Sequence, residues 1–157
     1  MSNTPEIGTS LPDLALISPD GSTLLLSAFK GQKLVLFFYP KDDTPGCTTE
    51  NIDFSALAAD FAKAGTAMLG ISKDPPKKHQ KFIAKHSLTA PLASDAEQGG
   101  LSDALGFWTE KSMYGRSYMG MVRSTVLVDA AGRIAKVWSP VKVKGHAAEV
   151  LEAAKAL

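Results

Sequence analysis

Residues 33–50 read Lys-Leu-Val-Leu-Phe-Phe-Tyr-Pro-Lys-Asp-Asp-Thr-Pro-Gly-Cys-Thr-Thr-Glu, and they contain the strongest structural signals in the chain. The first part, residues 33–39, is a continuous apolar run of strand length, which is typical of a strand covered on both faces. The second part contains Cys47, the only cysteine among the 157 residues. From Thr48 onward the apolar residues recur at helical spacing. The stretch therefore predicts a buried strand, a short loop, and a helix that begins near the cysteine.

The flanking sequence alternates between short apolar runs and amphipathic segments. The turn sequences at 18–21 and 130–132 predict two hairpins, formed by residues 14–17 with 23–26 and by residues 123–129 with 133–138. Further strands are predicted at 66–71 and 91–93, and helices at 48–64, 74–86, 96–105 and 145–157. Residues 106–122 give no clear signal, and 108–116 within them is interpreted as a loop.

This order of elements predicts an α/β fold. Helices that follow strands indicate parallel pairs joined by right-handed crossovers, whereas the last hairpin adds antiparallel strands. We therefore expect a mixed central β-sheet flanked by helices, with an N-terminal β-hairpin. The length is that of one domain spanning residues 1–157.

The composition is that of a soluble globular protein, with 45% hydrophobic residues, 21% charged residues and a formal net charge of +1. Neither this charge nor the distribution of basic residues predicts a nucleic-acid partner, and the lysines within 73–85 are interpreted as a solvated helix face. No stretch reaches the ~20 apolar residues of a membrane span. Residues 1–6 lack the basic flank and apolar core of a secretion signal. Because one cysteine cannot form an internal disulfide, a cytoplasmic location is expected.

The position of Cys47 predicts a reactive thiol. Thr44 is a good N-cap residue and Pro45 belongs to the type favoured at the first helical position, which makes Cys47 the third residue of the helix. Its sulfur then lies beside unpaired backbone N–H groups and the positive end of the helix dipole, which favour a thiolate. Gly46 leaves the approach to the sulfur open. The alternative is that Cys47 is an inert buried thiol.

Nearby acidic residues, Asp42, Asp43 and Glu50, oppose the thiolate unless a cation compensates for them. Arg123, at the start of a late strand, is the candidate cation, although the sequence does not place it beside Cys47. The three histidines, His79, His86 and His146, lack the spacing of metal ligands and are predicted to face solvent. Trp108 and Trp138 are interpreted as packing residues.

Several blocks of the chain together resemble a known family. Pro40, Thr44 and Cys47, followed by Glu50, resemble the active-site signature of the peroxiredoxins. The whole of residues 37–50 is similar to the bacterioferritin comigratory protein, or peroxiredoxin Q, branch of that family. The similarity continues at residues 70–72, 108–116 and 123–129, so that it covers nearly the whole chain.

The resemblance implies a thioredoxin-like fold and the reduction of hydrogen peroxide and organic hydroperoxides. Cys47 would be the peroxidatic cysteine and would become a sulfenic acid. Thr44 and the Cys47 backbone N–H would hold the peroxide oxygens, Arg123 would stabilise the thiolate and polarise the peroxide, and Pro40 would shield the sulfur from water. No metal, flavin or haem is implied. For the helper residues simpler roles stay open: Pro40 as a strand end, Thr44 as an N-cap, and Arg123 as a strand-edge charge.

The chain departs from many relatives because it has no second, resolving cysteine. The two common positions for it correspond here to Ile52 and to residues 82–83. The sulfenic acid would therefore be resolved by an external thiol, supplied by thioredoxin or by glutathione with glutaredoxin. Cys47 of a second subunit is a disfavoured alternative, because a site recessed at a helix start does not easily meet its own copy. The resemblance implies a monomer. The alternative function is a peroxide-sensing redox relay or binding protein that acts through oxidised Cys47. A thiol–disulfide oxidoreductase is disfavoured because the Cys-x-x-Cys motif is absent, and a Cys-His hydrolase lacks a recognisable partner histidine.

Overall fold

The central strand of the fold is the apolar run before the cysteine. The computed structural model describes residues 5–157; residues 1–4, on which part of the expectation about a secretion signal rests, lie outside the described part. Side chains of this strand alternate between two clusters of buried residues, with Val35 and Phe37 in one and Leu36 and Phe38 in the other. All four are 0% exposed, so the strand is covered on both faces as its sequence predicts.

The described residues form two sheets. Their strands are β1 (Leu16–Ile17), β2 (Thr23–Leu24), β3 (Lys33–Phe38), β4 (Thr66–Ser72), β5 (Leu92–Ser94), β6 (Trp108–Met113), β7 (Arg116–Met121), β8 (Ser124–Val128) and β9 (Ile134–Trp138). Seven strands form the main sheet in the order β2-β1-β5-β4-β3-β8-β9, and β6 pairs with β7 alone. Strands β3, β4 and β5 are parallel, whereas the other pairs of the main sheet are antiparallel. Both predicted hairpins of the main sheet are therefore confirmed.

Helices cover both faces of the main sheet. They are α1 (Pro45–Ala56), α2 (Ala58–Lys63), α3 (Pro76–His86), α4 (Leu101–Ala104) and α5 (His146–Ala156), with a 3₁₀ helix at Leu26–Phe29. One face packs against α1, α2, α3 and α5, and the other against the short α4 and the 3₁₀ helix. The predicted α/β class, a mixed sheet flanked by helices with an N-terminal hairpin, is confirmed. No helix in the described residues is both long and apolar enough to cross a membrane.

The hairpin of β6 and β7 is a difference from the sequence-based expectation, which interpreted residues 108–116 as a loop. Its turn residues, Tyr114 and Gly115, have φ angles of 52° and 74°. Two successive positive φ angles are the geometry of a tight type I′ turn, which matches the twist of the strands it joins. Most side chains of the hairpin are exposed, so the alternation of apolar and polar residues that reveals a half-buried strand is missing.

Two predicted helices are shorter or broken. The helix predicted over 48–64 begins at Pro45 and is interrupted at Leu57. Close to this interruption the Ser55 carbonyl accepts a hydrogen bond from the Thr89 hydroxyl at 3.0 Å. The helix predicted over 96–105 is reduced to α4. The carboxylate of Asp95 accepts the backbone N–H groups of Leu101 and Ser102, each at 2.9 Å, and so fixes the start of α4 at Leu101.

Candidate active site

Cys47 lies at the start of α1, in the first turn after β3. Pro45 is the first helical residue and Thr44 is the N-cap, so Cys47 is the third residue of the helix, as its sequence predicts. The Thr48 N–H donates to the Thr44 carbonyl at 2.8 Å, which closes the first turn. The first N–H groups of a helix have no partner within the helix and mark its positive end. Cys47 is 1% exposed, so bulk water has little access to its side chain.

Arg123 lies beside this sulfur because of the pairing between β3 and β8. In the antiparallel register, Phe38 at the end of β3 is opposite Ser124 at the start of β8. Arg123, the residue before Ser124, therefore lies next to the loop that leads into α1. The Arg123 Nη2 atom donates to Cys47 Sγ at 3.4 Å. This contact places a full positive charge next to the sulfur.

The guanidinium lies close to the backbone at Gly46. A Cβ atom added at this position would lie 3.1 Å from Arg123 Nη2, which is tighter than nine in ten real contacts of a Cβ. A larger residue here would therefore require the guanidinium to shift by a few tenths of an ångström. The backbone around Arg123 is also held, since its carbonyl accepts the Val141 N–H at 2.8 Å.

The same guanidinium also binds Glu50, one helical turn after Cys47. The Arg123 Nη1 atom donates to Glu50 Oε1 at 2.6 Å. The planar guanidinium of Arg123 thus contacts both the Glu50 carboxylate and the Cys47 sulfur, on the same face of α1. Burial acts to lower the pKa of Arg123, but the charges of Glu50 and Cys47 together raise it above its usual value, so the cation is permanent.

Glu50 is a buried acid whose proton affinity is strongly altered. It is 1% exposed, and within the described residues its Oε2 atom has no hydrogen-bond partner. Burial raises the pKa of Glu50 to about 7, and the Arg123 charge opposes this shift without cancelling it. Because the pKa is higher in the folded than in the unfolded chain, the folded state retains a proton that the unfolded state releases. The stability contributed by Glu50 is present below about pH 4.5 and is lost as the pH rises to about 7.

We therefore expect Glu50→Gln to change the pH dependence of stability. From pH 5 to pH 8 the free energy of unfolding of the wild type should fall relative to that of the variant by up to about 3 kcal/mol, because glutamine mimics the protonated acid at every pH. Urea unfolding of both proteins at several pH values measures this difference. The exposed Glu152→Gln is the matched control and should leave the profile unchanged. Parallel profiles for the wild type and Glu50→Gln would contradict the expectation.

Thr44 and Pro40 lie in the loop between β3 and α1. The Thr44 hydroxyl donates to the Lys41 carbonyl at 2.9 Å, and it makes no capping hydrogen bond to a helix N–H. The backbone of Thr44 occupies the N-cap position, while the hydroxyl oxygen keeps its lone pairs for another donor. Pro40 is exposed and follows the last buried residue of the strand segment, Tyr39. The catalytic roles expected for Thr44 and Pro40 remain predictions.

The prediction that all three histidines face solvent is wrong for two of them. His79 is 0% exposed, and its Nδ1 atom lies 2.6 Å from Asp42 Oδ2. His146 is 6% exposed, and its Nε2 atom lies 2.7 Å from the Thr125 hydroxyl. Burial lowers the pKa of His146; Glu149 opposes this shift and Arg123 adds to it. Only His86 keeps a partly exposed position.

A buried network around Asp42 escaped the sequence reasoning. The Tyr39 hydroxyl donates to Asp42 Oδ1 at 2.6 Å, while Oδ2 faces His79. Burial raises the pKa of Tyr39 well above its usual value, and the charge of Asp42 adds to this shift. The phenol therefore keeps the proton that it donates. The sequence does indicate that His79 is buried, because it lies three residues before Phe82 and therefore shares the inward face of α3. For Asp42, in a loop, no periodicity applies.

Metal ligation receives no support from the part of the chain that the structure describes. Among residues 5–157, no three histidine, cysteine, aspartate or glutamate side chains are grouped so that they could hold a metal ion. The groups that the structure brings together at the candidate site are the Cys47 thiol and the Arg123 guanidinium, at the start of α1.

A sheet with a cysteine at the start of the helix after its central strand, and with an arginine beside the sulfur, is the arrangement of a thiol-dependent redox protein of thioredoxin-like fold. The chain belongs to the AhpC/TSA family, whose model matches residues 7–137. The chain is thus a peroxiredoxin, an antioxidant oxidoreductase of the thiol peroxidase type.

Curated relatives and solved structures agree with this family. The chain is 47% identical over 152 residues to Peroxiredoxin Bcp of Bacillus subtilis, covering 97% of this chain and 96% of the relative. It is 45% identical over 151 residues to Peroxiredoxin Bcp of Xanthomonas campestris, covering 96% and 94%. A solved structure of the Xanthomonas bacterioferritin comigratory protein superposes with a TM-score of 0.89 at 44% identity, covering 96% of this chain and 98% of the other.

Proposed function

We propose that this peroxiredoxin reduces hydrogen peroxide and organic hydroperoxides through a Cys47 sulfenic acid, which an external thiol then resolves. The observation that supports the proposal most directly is the 3.4 Å contact between Arg123 Nη2 and Cys47 Sγ at the start of α1. The Xanthomonas bacterioferritin comigratory protein has alkyl peroxide reduction activity, which supports organic hydroperoxides as substrates here.

In the first step the Cys47 thiolate attacks one oxygen of the peroxide. An S–O bond forms and the O–O bond breaks, so the sulfur is oxidised to a sulfenic acid and the peroxide is reduced. The other oxygen leaves as hydroxide or alkoxide and takes a proton from solvent to become water or an alcohol. Arg123 stabilises the negative charge as it moves from sulfur to the leaving oxygen.

The remaining groups orient the peroxide for this step. The backbone N–H of Cys47 donates to one peroxide oxygen, and the Thr44 hydroxyl, held by Lys41, contacts the other. Pro40 covers the entrance and limits water around the sulfur, in keeping with the 1% exposure of Cys47. These assignments to Thr44, Pro40 and Arg123 belong to the proposal.

Resolution needs two thiol groups from outside the chain. The first attacks the Cys47 sulfur and releases water, which leaves a mixed disulfide, and the second attacks that disulfide and returns the Cys47 thiolate. The single cysteine of the sequence supports this route. By contrast, two solved variants of the Xanthomonas protein carry serine at two different cysteines. Thioredoxin, or glutathione with glutaredoxin, in a reducing cytoplasm provides such thiols, and we propose that the protein acts there as a monomer.

The proposed cycle predicts two defined products by intact-mass analysis. One equivalent of hydrogen peroxide should add one oxygen atom to the protein, and subsequent glutathione should convert this species into a mixed disulfide, because the oxidised sulfur has no thiol partner in its own chain. Multiple turnovers should then require thioredoxin or glutaredoxin. An unmodified mass after peroxide treatment would contradict a peroxidatic Cys47. Consumption of only about one equivalent of peroxide with every reductant present would favour the peroxide sensor instead.

A further inference from the structure

Two aspartate–histidine pairs connect helix α3 to the loop between β3 and α1. Asp42 pairs with His79 at 2.6 Å, and Asp43 pairs with His86 at 3.0 Å. The two aspartates are neighbours in the chain, and both histidines belong to α3. The two pairs differ in environment: the side chains of the first pair are 0% exposed, whereas those of His86 and Asp43 are 22% and 41% exposed.

The buried pair fixes the loop from several sides. The Asp42 carboxylate binds the Tyr39 hydroxyl with one oxygen and His79 with the other. The backbone N–H of Asp42 donates to Asp74 Oδ2 at 2.8 Å. His79 extends the network to the sheet, because its Nε2 atom lies 3.1 Å from the carbonyl of Ala93 in β5. Asp42 is therefore held by the end of β3, by α3, and by the segment before α3.

The geometry also fixes the orientation of the His79 ring. A carbonyl oxygen only accepts, so the His79 Nε2 atom must donate to Ala93. The Nδ1 atom then faces Asp42 Oδ2 at 2.6 Å, within hydrogen-bond distance. Asp74, which binds the Asp42 backbone, is itself paired with Lys78 at 3.1 Å.

We propose that His79 is a positioning residue for the peroxidase reaction: through Asp42 it holds the loop from Pro40 to Thr44 in the conformation that presents the Thr44 hydroxyl to the peroxide. The inference rests on the proposed function. Asp42 lies between Pro40 and Thr44, and the Thr44 hydroxyl is itself bound to the carbonyl of Lys41, the residue before Asp42. A shift of Asp42 therefore moves the group that anchors Thr44.

Stability alone does not account for such a pair. Buried polar pairs are often replaced by apolar residues of similar volume without loss of stability, since burial of the polar groups is costly. A hydrogen-bonded pair does fix the geometry between two segments more tightly than apolar contact, because its hydrogen bonds are directional. In this structure the fixed segment is the loop that contains two of the proposed catalytic residues.

The test compares two reactions of Cys47 in the same proteins. Oxidation by hydrogen peroxide requires the aligned loop, whereas alkylation by iodoacetamide requires only a reachable thiolate. The variants are His79→Phe, which keeps a ring without hydrogen bonds, His79→Asn, which retains a donor toward Asp42, and Tyr39→Phe, which removes one donor with little change of shape. His86→Phe, which breaks the exposed pair on the same helix, is the matched control.

We expect His79→Phe to slow peroxide oxidation at least ~10-fold, because small misplacements of reacting groups cost factors up to ~10². Alkylation should stay within about threefold of the wild type or become faster, since loosening the loop exposes the sulfur. His79→Asn should recover part of the peroxide rate, Tyr39→Phe should lose less of it than His79→Phe, and His86→Phe should match the wild type.

An unchanged peroxide rate in His79→Phe would overturn the proposal, and so would equal losses in both reactions, which indicate a general effect on the thiol. If His79→Phe does not fold, Tyr39→Phe decides the question: a slower peroxide rate with unchanged alkylation supports the positioning role, and two unchanged rates overturn it. A failure of the proposed function is recognised separately, because the wild-type Cys47 would then not react with hydrogen peroxide.

Discussion

Cys47→Ser is expected to lower peroxide turnover by at least ~10³-fold, because a serine hydroxyl is neither ionised nor nucleophilic enough to attack a peroxide oxygen at neutral pH. Serine is close to cysteine in shape, and its oxygen can accept the hydrogen bond that Arg123 donates to the sulfur. The fold and the arrangement of Arg123 should therefore persist. Steady-state peroxide consumption with thioredoxin, and separately with glutathione and glutaredoxin, measures the effect.

Thr49→Ser is a suitable control for this variant. Thr49 is exposed on the same helix, and its hydroxyl binds the Pro45 carbonyl at 3.1 Å, a contact that serine retains. The control should keep wild-type turnover, and both variants should unfold near the wild-type temperature. More than a trace of peroxide consumption by Cys47→Ser would refute the assignment of Cys47 as the reacting group.

Arg123→Lys should slow the oxidation of Cys47 by peroxide ~10²-fold, although it preserves the positive charge. The guanidinium uses its two terminal nitrogens at once, one for Glu50 at 2.6 Å and one for the sulfur at 3.4 Å. A lysine ammonium is a single point donor and cannot bridge both groups in this fixed geometry. It should remain with the buried Glu50 carboxylate and leave the sulfur and the peroxide without their donor.

Stopped-flow measurement of the second-order rate constant for peroxide oxidation tests this expectation. Arg133→Lys is the matched control, since Arg133 is exposed and, among residues 5–157, its guanidinium donates only to the Gly8 carbonyl at 3.2 Å. The control should react like the wild type. A wild-type rate constant for Arg123→Lys would contradict the expectation, because it would show that a positive charge is sufficient and that the two simultaneous contacts of the guanidinium are not needed.

The parts of the fold that follow from periodicity were predictable. The run of apolar residues at 33–39 marks β3, and the change to helical spacing after Cys47 marks α1, because each pattern reflects which faces are buried. The hairpin of β6 and β7 was missed because its side chains are largely exposed. Its turn signal was also unusual, since tyrosine, not asparagine or aspartate, precedes Gly115 in the type I′ turn.

The candidate site likewise has features that the sequence predicts and features that it does not. The place of Cys47 at the start of α1 is local, so the N-cap and proline signals predict it. The contact of Arg123 with the sulfur depends on strand pairing across 76 residues, which no local pattern encodes. The interaction of His79 with Asp42 likewise depends on tertiary packing. The position of Phe82 indicates that His79 lies on the inward face of α3, but nothing in the sequence indicates that Asp42 is its partner.

The register between β3 and β8 has a consequence for how the length of this chain can vary. Cys47 follows the end of β3 by one loop and Arg123 immediately precedes β8, and these strand ends meet where Phe38 is opposite Ser124. Segments inserted into the exposed hairpin of β6 and β7 lengthen the path between the two groups without altering their separation. One added residue between Arg123 and Ser124, however, would turn the arginine toward the opposite face of the sheet. The chemistry thus constrains the junction at Arg123 and leaves the length of the β6–β7 hairpin free to vary.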